Sequence, residues 1–339
     1  MRTFVIVTFA LSVLLSNALW SRPANADDLR FFKIASGSLG GAYFPVASSL
    51  ARVISNPPGS KSCEAGGNCG IPGLTATAQS SGGSVANVDS LLTKKFPSAI
   101  VPSDVTYWAY TGTGPFRTRK PNPNLCVITS LYPEEVHLVA TKESKINSVT
   151  DLSNKRVAMG ERNSGALLGA QLLVRAYGLQ EGKNFTPSFV NFEGAQKAMK
   201  DGKIDAFITV SGHPNKSITN MISEVGAHLV PISGAGSKRL ADSSPFYSVA
   251  KIPAGAYPNQ PGDIPTVAVT ALWIARNDLD QDFLYTLTKT FWSNKFARSI
   301  LDSGHPAGKF ITLKSSFDGV PIPLCAGTQR YYKEIGLLK

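Results

Sequence analysis

The sequence predicts two α/β domains facing each other across a cleft. Beyond a short N-terminal segment the chain keeps about 310 residues, more than a single core usually serves. Strand-like and helix-like stretches alternate through most of that length, which points to layered α/β structure. Ser/Gly-rich turns recur in both halves where an apolar run gives way to a helical stripe. In open α/β sheets such strand exits line up at one edge, and ligands sit there.

The first 26 residues stand outside this pattern. Arg2 gives a short basic start, Phe4 to Leu19 an apolar run, and Ala24-Asn25-Ala26 a small-x-small site. They read as a signal peptide cleaved after Ala26, with a mature chain exported to a periplasm. A membrane anchor is the rival, but Thr8, Ser12, Ser16 and Asn17 interrupt the run, which falls short of a full span. Without Arg2 and Arg22, 32 of the 34 basic residues face 23 acidic ones, a net charge of +9. The basic residues are scattered, with no basic helix carrying interleaved aromatics, which argues against nucleic acid as a partner.

The stretch from Ile34 to Ile54, IASGSLGGAYFPVASSLARVI, organises the first half. Phe31 to Ala35 make a buried strand. Val46, Leu50, Val53 and Ile54 recur at helical spacing. The turn between them, with Ser38, Gly40 and Gly41, leaves orphan backbone donors at the positive end of a helix, where anions bind. Tyr43 can close over a ligand. A helix cap beside a tight turn is the alternative, since the dinucleotide and phosphate-loop spacings are absent. Leu74 to Ala78, the turn Ser80 to Ser84, and the stripe Val85, Val88, Leu91 and Leu92 repeat the device. Ala99 to Val101 is a third strand, and Ser103-Asp104 starts a helix carrying Tyr107, a pattern that an ordinary N-cap also explains. Thr111 to Asn124 reads as a loop. Two strands, Val127 to Leu131 and Val136 to Thr141, follow, separated by Tyr132-Pro133-Glu134-Glu135.

The rhythm then restarts. Arg156 to Met159 is a strand, GERNSG (Gly160 to Gly165) a loop ending in Ser164, and Ala166 to Ala176 a helix. Phe189 to Phe192 reads as a strand, Ala195 to Lys200 as a helix, and Ile204 to Val210 as a strand ending at Ser211-Gly212-His213. From Pro231 to Pro261 the chain looks loop-rich. Val267 to Ala275 reads as a strand returning to the first domain, followed by helices over Phe283 to Phe291, Lys295 to Ile300 and Gln329 to Ile335. The expected division is 27–138 with 248–339 as one domain and 139–247 as the other. A chain that crosses twice builds a hinge, here at Val136 to Thr141 and Val267 to Ala275.

Cys63 and Cys69 bracket a Gly-rich loop, and in an oxidising compartment they read as a local disulfide. Cys126 and Cys325 then pair by elimination. No further Cys or His stands near enough to the first pair for a zinc site, so no metal and no cofactor is expected.

With these residues in hand, the order "IASGSLGGAYFP", "SSGGSVANV", "PSDVTYWAYTGTGPF", "SLYPEEVHLVA", "VTDLSNKRVAMG", "DGKIDAFITVSGHP" and "IPTVAVTALWIARNDL" resembles the TAXI family, the TRAP-associated extracytoplasmic solute receptors. The likeness runs from about Phe31 to Tyr332. It implies a type II periplasmic-binding-protein fold closing by a hinge on a small solute, with delivery to a TRAP-type membrane permease driven by an ion gradient. The family's ligands are mostly small carboxylates such as glutamate and 2-oxoglutarate. Two departures stand out: the insert Pro57 to Gly73 carries the first cysteine pair, and GERNSG puts Glu161 and Arg162 near the cleft.

The expected ligand-binding set is Ser38, Gly40, Gly41, Tyr43, Ser81, Gly83, Ser84, Asn87, Ser103, Asp104 and Tyr107 on one side. Arg162, Ser164, Gly165, Ser211, Gly212 and His213 make the other. Arg162 could hold a carboxylate through two parallel hydrogen bonds, or face solvent beside Glu161. An enzyme is disfavoured: Ser103, His213 and Asp104 suggest a hydrolase triad only loosely, without a GxSxG elbow. His137, His213, His228 and His305 lack metal-ligand spacing. The expected receptor is a monomer serving a permease; the alternative is a sensor that presents its solute to a membrane signalling protein.

Overall fold

The computed structural model describes residues 29–339; the signal-peptide reading of residues 1–26 lies outside the described residues. The first stretch runs β1 (Arg30–Ala35), α1 (Tyr43–Ile54), β2 (Ser55–Asn56), β3 (Ile71–Pro72), β4 (Leu74–Gln79), α2 (Ser84–Leu92), β5 (Ser98–Pro102) and α3 (Ser103–Thr111). The long β6 (Leu125–Ala140) leads into β7 (Arg156–Ala158), α4 (Gly165–Ala176), β8 (Thr186–Ser188), α5 (Phe192–Lys200), β9 (Ala206–Ser211) and α6 (Lys216–Val225). Then come β10 (His228–Val230), α7 (Ala235–Ser243), β11 (Ser248–Ile252) and the long β12 (Ile264–Arg276). The chain closes with α8 (Gln281–Ser293), α9 (Ala297–Gly304) and α10 (Ala326–Glu334).

The strands form one path, β3-β2-β4-β1-β5-β12-β6-β9-β7-β8, with β10 on β6 and β11 on β12. Around β1 the pairing is parallel, to β4 and β5, as βα units require. On the far side β7 lies parallel to β8 and β9. Between these halves stand β12 and β6, antiparallel to each other. β5 is buried along its whole length, which accounts for its continuous apolar run.

Buried residues fall into two lobes. Clusters around Ile34, Leu50 and Trp273 and around Val88, Val101 and Ile274 draw on residues 32–132 and 271–325, apart from the partly buried Leu168. Clusters around Leu173, Ile208 and Val267 and around Met221, Phe207 and Ile252 draw on residues 136–269. The molecule is thus a mixed α/β structure of two lobes, the fold class the sequence predicts. β6 and β12 each contribute one end to each lobe. Both disulfides are formed: Cys63–Cys69 staples the insert, and Cys126–Cys325 ties β6 to the start of α10.

Three elements differ from the sequence reading. Leu125 to Ala140 is a single strand of 16 residues, not two. Pro133 sits inside it opposite Thr270, two positions from a register shift between Ala271 and Leu272; at such an irregularity a missing N–H is tolerated. The strand after α4 is Thr186–Ser188, and Phe192 instead begins α5, because the Asn191 side chain accepts the Gly194 amide and starts the helix early. The stretch read as loop after Pro231 holds α7 and β11; Leu240 packs in the core as α7's anchor, and β11 gains its order from pairing with β12.

Candidate functional site

Between the lobes lies a cavity of about 60 Å³. The first lobe contributes the β1–α1 turn (Ser38, Gly41, Tyr43) and the start of α2 (Gly83, Ser84). The second contributes the start of α4 (Ser164, Gly165) and the end of β9 (Ser211), and Glu134 reaches in from β6. Eight of the expected ligand residues therefore meet at one place, although they come from four separate strand exits.

The walls touch directly. A Cβ at Gly165 would lie 2.7 Å from Ser84 Oγ, and one at Gly83 would lie 3.1 Å from Ser164 Cβ. Gly83 also has φ +96°, a conformation few other residues adopt. At Gly41 a Cβ would come within 3.0 Å of the Phe192 ring. Glycine is used at these points because backbone of one lobe approaches the other lobe closely.

Helix starts supply the donors, but not equally. The Val85 and Ala86 amides at the start of α2 both donate to the Asn163 carbonyl of the opposite lobe, at 3.1 and 3.2 Å. The Gly40 amide donates to Glu193 Oε1 at 2.6 Å. Two of the expected anion donors are thus already engaged by the chain itself. At α4, Ser164 Oγ accepts the Leu167 amide as an N-cap and donates to the Glu161 carbonyl, leaving the Gly165 and Ala166 amides to face the cavity. At α1 the Ala42 and Tyr43 positions face it likewise. Helix starts of this kind stabilise negative charge.

Carboxyl groups are also built into the wall. The Tyr43 hydroxyl donates to Glu134 Oε2 at 2.7 Å. Glu134 is almost wholly buried, and that burial pushes its carboxyl well above the usual range, opposed by the Tyr43 hydrogen bond. Burial, helped by the nearby Glu193 charge, also raises Glu161. Among the described residues lining the cavity there is no Lys, Arg or His. The site therefore combines helix-start donors with carboxyl acceptors, a pairing suited to a solute that carries both an anionic and a proton-donating group.

Other expected residues lie elsewhere. Asn87 is fully buried and donates to the Ser36 and Ile100 carbonyls, joining α2 to β1 and β5, while Ser81 Oγ donates to Asn87 Oδ1. Asp104 is buried at the start of α3, where it accepts from its neighbour Val105 and from the Tyr247 hydroxyl at 3.0 Å. Burial raises its pKa to about 6. Ser103 is buried beside it, and Tyr107 lies against Phe246 on a different surface. Arg162 faces solvent with its guanidinium 4.3 Å above the Phe189 ring. Gly212 packs on Tyr132, and His213 Nδ1 lies 3.0 Å from the buried Glu135 Oε2. Neither lines the cavity.

The sequence reading missed Glu134 and Phe192 as wall residues. Glu134 had a visible signal: two adjacent carboxylates inside an otherwise apolar strand, where burial has to be matched by a partner. Phe192 had none, because only the lobe–lobe contact brings it to Gly41.

Among the described residues no helix is long and apolar enough to cross a membrane. A model of the NMT1-like family matches residues 34–336. Among solved structures, a ligand-binding component of an ABC-type import system from Staphylococcus aureus, with zinc bound, is 10% identical. It covers 91% of this chain and 93% of its own, with a TM-score of 0.49. The alkanesulfonate-binding protein of Xanthomonas axonopodis pv. citri, bound to MOPS, is 12% identical over 90% and 84% of the two chains, with a TM-score of 0.45. An amino acid ABC transporter substrate-binding protein from Streptococcus pneumoniae, bound to L-arginine, is 14% identical over 83% and 95%, with a TM-score of 0.44.

Proposed function

The chain belongs to the NMT1-like family, and we propose that it works as an extracytoplasmic receptor that captures a small carboxylate solute between its lobes. One observation carries the reading: two helix starts with uncommitted amides, the buried carboxyl of Glu134 and the half-buried carboxyl of Glu161 converge on a single cavity shared by both lobes. The α-carboxylate of the solute would sit at the starts of α1 and α4. Its ammonium group would face Glu134 and Glu161, which selects glutamate over 2-oxoglutarate within the carboxylate class. The cavity as described is small for a five-carbon dicarboxylate, so the complex requires the lobes somewhat further apart.

Capture would proceed by rotation of the lobes about β6 and β12, the two strands they share. A solute touching both walls stabilises their approach by its differential affinity for the closed arrangement. Within this reading the change of domain falls inside β12 near Thr270, because Ile252, Val267 and Val269 pack with the second lobe and Ala271 and Trp273 with the first. That redraws the 248–339 boundary. The ordered segments from Phe31 to Tyr332 support a TRAP-type permease as the recipient and a monomeric receptor in the periplasm.

Thermal-shift screening of the purified protein against amino acids, oxo acids and sugars tests the ligand class. Glutamate should raise the melting temperature, 2-oxoglutarate should raise it less, and Glu134→Gln should narrow the difference. A rise with sugars alone would overturn the carboxylate reading. Uptake by membranes reconstituted with the receptor and its permease separates the partners: an ion gradient should drive it, and a strict requirement for ATP would reject the TRAP assignment.

A further inference from the structure

A second, larger crevice runs along the seam between the lobes, away from the central cavity. One part, of about 680 Å³, is walled by Tyr107 and Trp108 of α3 and by Phe246 of the loop before β11. Phe246 packs 5.1 Å from Tyr107 and edge-on to Trp108 at 6.2 Å, giving an aromatic wall built from both lobes. The adjoining part, of about 250 Å³, shares Trp108 and Leu172 with the first and ends at Arg117 and Arg175. The larger part falls in the range of small-molecule sites, whereas an ordinary packing defect is far smaller.

The two arginines are exposed, and neither takes part in the arginine ion pairs found among the described residues. Glu181, which follows α4, has its Oε1 held by the Gln171 side-chain amide at 3.0 Å. Tyr107 is 37% exposed, so the aromatic wall is open to solvent. Two unpaired guanidiniums hold a carboxylate through charge-assisted hydrogen bonds. A row of aromatic faces takes up a flat or short apolar body.

We propose that this crevice is a second binding site, for amphiphilic monocarboxylates whose head meets Arg117 and Arg175 and whose apolar body lies on Tyr107, Trp108 and Phe246. It is separate from the solute cavity, whose described lining shares no residue with it and includes no Lys, Arg or His. Because α3 and Arg117 come from one lobe and α4 and Phe246 from the other, an occupant also favours the arrangement in which the lobes touch.

Isothermal titration of the purified protein with 4-phenylbutyrate tests this. Saturable one-to-one binding is expected, at least tenfold weaker for 4-phenylbutanamide and at least tenfold weaker in Arg117→Gln/Arg175→Gln. Excess glutamate should not displace it. Equal binding of acid and amide, an unchanged double variant, or no saturable binding would overturn the proposal. Displacement by glutamate would put the probe in the central cavity and overturn it as well. Failure of glutamate itself to bind counts only against the solute assignment, and the acid–amide and double-variant comparisons then decide this proposal by themselves.

Discussion

The Gly40 amide of the first lobe donates to Glu193 Oε1 of the second at 2.6 Å. A carboxylate from the chain thus occupies one of the turn donors that the sequence assigns to a ligand, and it latches the lobes at the cavity rim. Hydrogen bonds to charged groups contribute about 1.5–3 kcal/mol, and the exposure of Glu193 reduces this toward about 1 kcal/mol. Glu193→Ala should therefore weaken solute binding roughly fivefold by favouring separated lobes. Small-angle scattering of the free variant should give a larger radius of gyration than the wild type; an identical radius would reject the latch.

Gly165→Val should prevent close approach of the lobes without unfolding either. Its new atoms meet Ser84 and Pro102 across the cavity, and the position, at the first residue of α4, has no left-handed φ to lose. Titration calorimetry should show binding lost or reduced at least tenfold, while the melting temperature of the free protein stays within a few degrees. Gly41→Val should behave alike through Phe192.

Asp104 sets a pH dependence. Its pKa rises to about 6 in the folded protein through burial, above its value of 3.8 in the absence of that burial. The folded state therefore binds the extra proton between these values, and its contribution to stability is complete below about pH 4 and lost as pH rises through 6. The full swing is at most about 3 kcal/mol. Subtracting the denaturation curves of Asp104→Asn from those of the wild type, from pH 4 to 8, should isolate this fall. Tyr247 keeps its hydroxyl near position 104 in either protein, so parallel curves would show that Asp104 does not titrate there.

The two disulfides should differ in worth. Cys63 and Cys69 are six positions apart, Cys126 and Cys325 199 apart. Chain-entropy reasoning gives about 2 kcal/mol for the short loop and about 5 kcal/mol for the long one. Replacing Cys126 and Cys325 together by Ser should lower the midpoint of urea unfolding much more than replacing Cys63 and Cys69. Equal effects would mean that the α10 start is held by other contacts.

Much of this was legible from residues alone. Helical spacing in Val46, Leu50, Val53 and Ile54, the Ser/Gly turns at strand exits, and the paired cysteines depend on local periodicity and turn chemistry. These act over a few residues and are written in the chain directly. The sequence also picked out Ser38, Gly41, Tyr43, Gly83, Ser84, Ser164, Gly165 and Ser211, which meet at the cavity because strand exits share a sheet edge. What each donor does was decided only by tertiary structure. Asn87 and Asn163 are both polar residues beside a Gly-rich turn, yet one is buried as a brace between strands. The other turns its carbonyl onto the start of α2 from across the cleft. Glu134 and Glu135 are neighbours, but strand alternation sends Glu134 to Tyr43 in the cavity and Glu135 to His213 outside it. Such assignments rest on which lobe stands opposite, a contact between residues some 80 to 150 positions apart that no local pattern encodes.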